Sequence, residues 1–324
     1  MNRRGILCAA LSAALCFAAA PASAQLAEKP IRIVFPYAAG GAGDALARLL
    51  AEELRQGTKR PVIVENKTGA AGRLGVLEVV KADKDGDTIL LTPIAPTAVH
   101  QHVFDDLPYN PDKDLVPVAQ ISKFEFGIAV GPEVPAKNLK ELVAWMKANP
   151  GKASFGSPGA GALPHFFGIL FGKAAGVDMV HVGYRGSAIA LADVLGGQIP
   201  MIVTTTSDLL GAHKGGKVRI LATSDSERSP LVPEVPTFKE SGYDIVGTSW
   251  YAVYAPTGTP NAIVERYSKI FSDALKKPEL KKRLLELGLY ATGSAPEEIA
   301  AIHKKDSAFW GEAVKISGFK AGKQ

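Results

Sequence analysis

Cysteine is nearly absent from the 324 residues: there are two, Cys8 and Cys16. Both fall in a segment that reads as a removable leader, so the mature chain keeps none. That excludes disulfides, thiolate nucleophiles and cysteine metal sites together. No uncharged stretch after the first 24 residues approaches the roughly 20 residues that a membrane-spanning helix needs. Enzyme signatures are also missing: there is no G-x-S-x-G elbow, no H-E-x-x-H pair and no P-loop lysine motif. Aromatic residues make up 7% of the chain. None interleaves with the densest basic cluster, Lys276, Lys277, Lys281, Lys282 and Arg283, which therefore reads as a solvated helix face and not a nucleic-acid surface.

The N-terminus carries the first positive signal. Arg3 and Arg4 precede an apolar run from Gly5 to Ala20, and Pro21-Ala22-Ser23-Ala24 supplies small residues before Gln25. This order predicts a secretory signal peptide over residues 1–24, cleaved after Ala24, with a soluble periplasmic product. A retained anchor fits less well because of the small-residue site. Leu15 before Cys16 and Leu7 before Cys8 do not make a lipid-attachment site. Removing the two leader arginines lowers the formal charge from +5 to +3, mildly basic and dispersed.

Strand-like runs alternate with helical patterns along the rest of the chain. Strands are expected at 31–35, 62–64, 88–91, 116–121, 126–130, 153–155, 179–182, 199–203, 218–222 and 250–254. Helices are expected at 44–56, 74–82, 139–148, 165–175, 188–195, 262–275, 279–287 and 296–314. The β-α-β order predicts mainly parallel sheets flanked by helices. About 300 residues suffice for two such bodies. The expected division is lobe 1 over 25–122, lobe 2 over 123–254, and C-terminal helices over 255–324 returning to lobe 1, with a ligand cleft between the lobes.

Glycine loops recur where strands pass into helices. Tyr37-Ala38-Ala39-Gly40-Gly41 precedes the first helix. Small residues let the backbone approach a ligand, and the free amides of a helix start attract anions. Two or three amide bonds to a carboxylate, at about 1.5–3 kcal/mol each, together with cleft closure, reach the roughly 8 kcal/mol of micromolar binding. Asp44 is placed to cap the helix amides, to shape the pocket, or both. A second loop, Gly156-Ser157-Pro158-Gly159-Ala160-Gly161, leads to His165. Gly183-Tyr184-Arg185-Gly186-Ser187 and the hydroxyl run Thr204-Thr205-Thr206-Ser207 hold equivalent places. Each taken singly also reads as turn glycines, caps or surface threonines; recurrence at equivalent positions favours the ligand reading. Gly41-Ala42-Gly43 begins like a dinucleotide fingerprint, but Leu46 stands where Gly or Ala is wanted, so no nucleotide cofactor, and no cofactor of any kind, is expected. His100 and His102 lack a third metal ligand and read as a loop.

These residues, taken in order, resemble the receptors of tripartite tricarboxylate transporters, the Bug-type solute-binding proteins. The resemblance is carried by Lys29-Pro30-Ile31-Arg32-Ile33-Val34 with Pro36, Gly40, Gly41 and Asp44, and by Pro61-Val62-Ile63-Val64-Glu65-Asn66-Lys67 with Gly69-Ala70-Ala71-Gly72. Leu107-Pro108-Tyr109-Asn110-Pro111, Val180-His181-Val182-Gly183-Tyr184-Arg185-Gly186-Ser187 and Ala255-Pro256-Thr257-Gly258-Thr259-Pro260 continue it. It implies a two-lobed, type II-like Venus-flytrap fold, a non-enzymatic monomer, a carboxylate held largely by backbone amides and waters, and delivery to a membrane permease. A sensory receptor presenting the acid to a signalling partner is the alternative.

Departures from the family pattern bear on the ligand. Ala162-Leu163-Pro164 replaces a hydroxyl-rich run, Pro93-Ile94-Ala95-Pro96-Thr97 replaces a serine-rich loop, and Thr204-Thr205 stand where Asp-Asn is common. These changes predict a ligand less polar than citrate, an aromatic or aliphatic dicarboxylate. The residues expected to line its site are Tyr37, Ala38, Ala39, Gly40, Gly41, Asp44, Thr97, Ser157, Gly159, Gly161, His165, Tyr184, Thr204 and Thr205.

Overall fold

The computed structural model describes residues 29–184 and 186–319. The expected leader lies outside the described residues, as does Arg185. The chain forms two sheets. The first has six strands, in the spatial order Tyr290–Ala291, Leu115–Phe124, Ser249–Pro256, Thr88–Pro93, Ile31–Phe35 and Val62–Asn66, and the second has five, in the order Val180–Gly183, Ser154–Ser157, Met201–Thr205, Phe126–Val130 and Arg219–Thr223.

In the first sheet, β1 (Ile31–Phe35) lies between β2 (Val62–Asn66) and β3 (Thr88–Pro93), parallel to both. Ile31, Ile33, Val34 and Phe35 are all buried, as a central parallel strand covered on both faces requires. Helix α1 (Ala42–Thr58) covers one face with Leu46, Leu50 and Leu54, a stripe at helical spacing, while Arg48, Glu52 and Arg55 face outward. Helix α2 (Arg73–Val80) joins β2 to β3. After β3 the chain turns through Ala95–Val99 into the short helix α3 (His100–Val103). His100 and His102 therefore lie on a helix and not in a loop. Helix α4 (Pro111–Asp114), capped by Asn110, leads into β4 (Leu115–Phe124).

Glu125 alone separates β4 from β5 (Phe126–Val130), and there the chain enters the second sheet. Helix α5 (Leu139–Ala148), capped by Asn138, is followed by β6 (Ser154–Ser157), α6 (Leu163–Ala175), β7 (Val180–Gly183), α7 (Ser187–Leu195), β8 (Met201–Thr205), α8 (Thr206–Lys214) and β9 (Arg219–Thr223). The strands β7, β6 and β8 are parallel; β5 runs against β8 and β9. Both sheets are thus mixed, with a parallel trio at one side of each, and not mainly parallel throughout.

The expected end of lobe 2 at residue 254 needs correction. Strand β10 (Ser249–Pro256) belongs to the first sheet, antiparallel to β3 and to β4, with Ser249 opposite Phe124 and Pro256 opposite Leu115. The return crossing lies between β9 and Ser249. The apolar run at 250–254 fits the interior of either sheet; its partner strands decide, and they are remote in sequence. Helices α9 (Asn261–Ala274) and α10 (Pro278–Glu286) and the two-residue strand β11 (Tyr290–Ala291) complete the first body. The last helix, α11 (Pro296–Ser317), touches both sheets' layers. Trp310 packs edge-on to Phe167 of α6 at 5.4 Å, and Asp306 accepts the Trp250 indole N–H at 2.8 Å.

Candidate functional site

Parallel strands present their carboxyl ends on one edge, so the loops after β1, β2 and β3 gather on one body and those after β6, β7 and β8 on the other. The two sets approach each other: Val103 Cγ1 lies 3.5 Å from where a Cβ on Gly161 would stand.

The first loop presents backbone. Ala38, Ala39, Gly40 and Gly41 are exposed, and nothing lies within 4 Å of a Cβ built on either glycine. Gly40 has φ +95, a conformation that favours glycine. Gly41, not Asp44, caps α1. Asp44 sits one turn in, and its carboxylate reaches back to accept the Gly40 N–H at 3.1 Å. It also accepts Asn66 Nδ2 at 3.1 Å and Arg48 Nε at 3.1 Å. Burial pushes the Asp44 carboxyl up, but the bonds from Arg48, Gly40 and Asn66 together hold it below its ordinary range. The carboxylate therefore clamps the loop, and the amides of Gly41, Ala42 and Gly43, which the helix cannot satisfy itself, stay available to an anion.

An aromatic floor lies against Gly43, where a Cβ would clash with Phe35 and Tyr251. Phe35 packs against Tyr37 at 5.7 Å and Tyr251 at 6.3 Å, and Tyr251 stacks on Phe124 at 4.9 Å. Burial pushes the Tyr37 and Tyr251 phenols above their ordinary range, so both are neutral. The Tyr37 hydroxyl donates to the Ala71 carbonyl at 3.3 Å, and its ring lies against Gly72.

The second body offers fewer open groups than expected. Gly159 is half-buried with free space around its Cα. Ser157 is fully buried, its Oγ 2.7 Å from His181 Nε2 and 3.1 Å from the Gly159 carbonyl. Gly161, at φ +79, donates its N–H to His165 Nδ1 at 3.1 Å. His165 is buried and stacks on His181 with ring centroids 3.8 Å apart. Thr205 caps α8 and is partly exposed.

Three further expected site residues are engaged in internal contacts. Thr97 is fully buried; its hydroxyl donates to the Ile94 carbonyl and its own carbonyl meets His303 Nε2 at 3.0 Å. The Tyr184 hydroxyl donates to Asp193 at 2.8 Å. Thr204 is fully buried between Ser187 Oγ at 2.7 Å and Asp208 at 3.1 Å. The Thr97 hydroxyl is taken by a carbonyl three residues back, whereas Asp193, Ser187 and Asp208 reach Tyr184 and Thr204 from neighbouring helices.

Sequence reasoning also missed the Asn66 clamp, the Tyr251 floor and Arg73. Arg73 is 8% exposed at the first position of α2, its guanidinium carbon 3.8 Å above the Phe104 ring. A cation at a helix N-terminus opposes the dipole, and that misplacement was a readable signal.

The histidines carry a pH prediction. Burial pushes His100 and His165 down to about 3 and His181 down to about 4, with Arg73 adding to the effect at His100 and His181 at His165. All three fold neutral. Between the ordinary histidine value of about 6.5 and these folded values the unfolded chain binds more protons, so stability falls as pH falls, by up to about 1.4 kcal/mol per pH unit for each histidine. Urea unfolding from pH 7 to pH 4.5 should show this loss, and His181→Gln should remove one histidine's share of it and leave those of His100 and His165.

The fold and its paired loops define a class: two-lobed α/β binding proteins of the type II-like architecture. The family model described as the tripartite tricarboxylate transporter family receptor matches residues 46–318. The chain belongs to that family, whose members are solute-binding proteins and not enzymes. It is 31% identical to Protein BugT of Bordetella pertussis over 93% of this chain and 94% of the relative. Among solved structures it is similar to the periplasmic binding protein BugD, with 32% identity, TM-score 0.83, and 90% and 99% of the two chains covered. It is also similar to two proteins of Rhodopseudomonas palustris. MatC with bound malate shows 28% identity and TM-score 0.81, covering 88% and 98%. Rpa4515 with adipate shows 26% identity and TM-score 0.86, covering 90% and 98%.

Proposed function

We propose that the chain is a periplasmic receptor that captures a small dicarboxylate with an apolar body and delivers it, as a monomer, to the permease of a tripartite tricarboxylate-type transporter. The observation that carries this reading is the exposed Gly40-Gly41 backbone at the start of α1, set over the neutral floor of Tyr37, Phe35 and Tyr251. The amides suit a carboxylate and the rings suit methylene or aromatic carbons. The internal hydrogen bonds of Thr97, Tyr184 and Thr204 occupy hydroxyls that a citrate-like ligand would use. Malate and adipate, bound to the two R. palustris proteins, are both diacids. The leader-like segment at residues 1–24 supports export, and intact mass of a periplasmic extract should give a chain beginning at Gln25.

A thermal-shift panel tests the ligand class. A ligand at 100 times its Kd adds about 2.7 kcal/mol, a rise of roughly 5 °C for a protein of this size. Adipate or an aromatic diacid should give such a rise without product formation. Stabilisation by citrate alone would sink the apolar-body reading.

A further inference from the structure

Arg73 is a buried cation without an acidic partner among the described residues. Its Nε donates to the Ala70 carbonyl at 2.9 Å, and its guanidinium lies over the Phe104 ring at 3.8 Å. Neither contact neutralises charge. Two titratable groups that feel its charge, His100 and Tyr109, are themselves buried and uncharged. An isolated buried charge is costly to hold, and an arriving anion relieves that cost. Placement gives the anion's source. Arg73 opens α2 at the carboxyl edge of the first sheet, directly after Gly72, against which the Tyr37 ring packs. Phe104 follows Val103, which meets Gly161 of the opposing loop. The guanidinium therefore stands over Phe104, next in sequence to the Val103 contact with the opposing loop, and one residue past the glycine on which Tyr37 packs.

We propose that Arg73 is the charged anchor for one carboxylate of the ligand, while the α1 amides take the other and the Tyr37 ring lies along the apolar middle. This rests on the dicarboxylate reading above. It assigns selectivity for two carboxylates over one to a single side chain whose planar fork matches a carboxylate.

Calorimetry with succinate, adipate and suberate, beside butyrate, hexanoate and octanoate, tests it on wild type, Arg73→Gln and Arg73→Lys. Wild type should prefer the best diacid over its monoacid by about 10- to 100-fold, the range for a charge-assisted bond. Arg73→Gln should bring the diacid down to the monoacid's affinity, leave the monoacid nearly unchanged, and keep or raise the melting temperature without ligand. Arg73→Lys should recover part of the preference. Wild-type diacid affinity in Arg73→Gln overturns the assignment alone. Equal losses for both acid types with a lowered ligand-free melting temperature do the same, since they mark a structural role. With terephthalate and benzoate added as the aromatic pair, a wild type that binds none of the eight acids overturns the dicarboxylate reading, and the assignment with it.

Discussion

Asp44→Ala is expected to weaken binding of the captured acid at least tenfold and to remove about 2–4 kcal/mol of stability. The stability figure follows from two part-buried bonds to a charged acceptor, from Gly40 N–H and Asn66 Nδ2, each worth about 1.5–3 kcal/mol, less some relaxation. The Arg48 pair adds little, because that arginine side chain is 58% exposed. The binding figure follows from what the clamp holds. Without it, the Gly40-Gly41 backbone must be ordered by the ligand itself, and that ordering is subtracted from affinity. Asp44→Asn keeps the shape but turns an amide N–H toward a donor, so it should fall between wild type and Ala. The acid limb adds a sign test. The folded carboxyl is held below its ordinary value, so its contribution is complete above about pH 4 and is lost as pH falls further. Asp44→Ala should lack that loss. A variant with lowered stability but unchanged affinity would show that the loop is not the anion seat.

The second large effect concerns the seat of α6 on the second sheet. A Cβ at Gly168 would lie 2.1 to 2.7 Å from three ring atoms of Phe155, a side chain with no exposed surface. The ring cannot retreat freely, because His181 packs against it at 5.1 Å. Gly168→Ala should therefore cost about 2–3 kcal/mol or more through overpacking. The displacement should reach Ser157, whose Oγ depends on His181. Gly211 in α8 is the control: nothing lies within 4 Å of a Cβ there, so Gly211→Ala should gain about 0.5–1 kcal/mol. The same substitution with opposite signs, measured by denaturant midpoints, separates packing from helix propensity. A stabilising Gly168→Ala would contradict the close seating of α6.

Much of the fold was legible where local signals agree. Ile31–Phe35 and Phe126–Val130 are short apolar runs with clear ends, and Asn138 marks the start of Leu139–Ala148; all three were read with their observed bounds. The helix Thr206–Lys214 was not read, because its opening hydroxyl residues are poor helix formers, although Thr205 and Asp208 held the capping signal. The turn at Ala95–Val99 was hidden by its proline. The lobe to which β10 belongs depends on pairings across more than a hundred residues, and no periodicity encodes them. At the site, the backbone loop was legible because glycine has few reasons to recur at helix starts. The direction of a hydroxyl was not. Thr97, Tyr184 and Thr204 look like site residues in sequence, and the Ile94 carbonyl, Asp193 and Asp208 take their hydroxyls only once the chain is folded. Arg73 shows the converse, a buried guanidinium with no acidic partner among the described residues.

The central claim is that a carboxylate seats on the α1 amides with the opposing glycine loop closed over it. Amide NMR of the 15N-labelled chain, titrated with the diacid that stabilises it most, tests this directly. The account predicts that the Gly40, Gly41 and Ala42 amides and those of Gly159 and Gly161 shift together, with one Kd and no change in the acid. Saturable binding that leaves the Gly40 to Ala42 amides unmoved would contradict it.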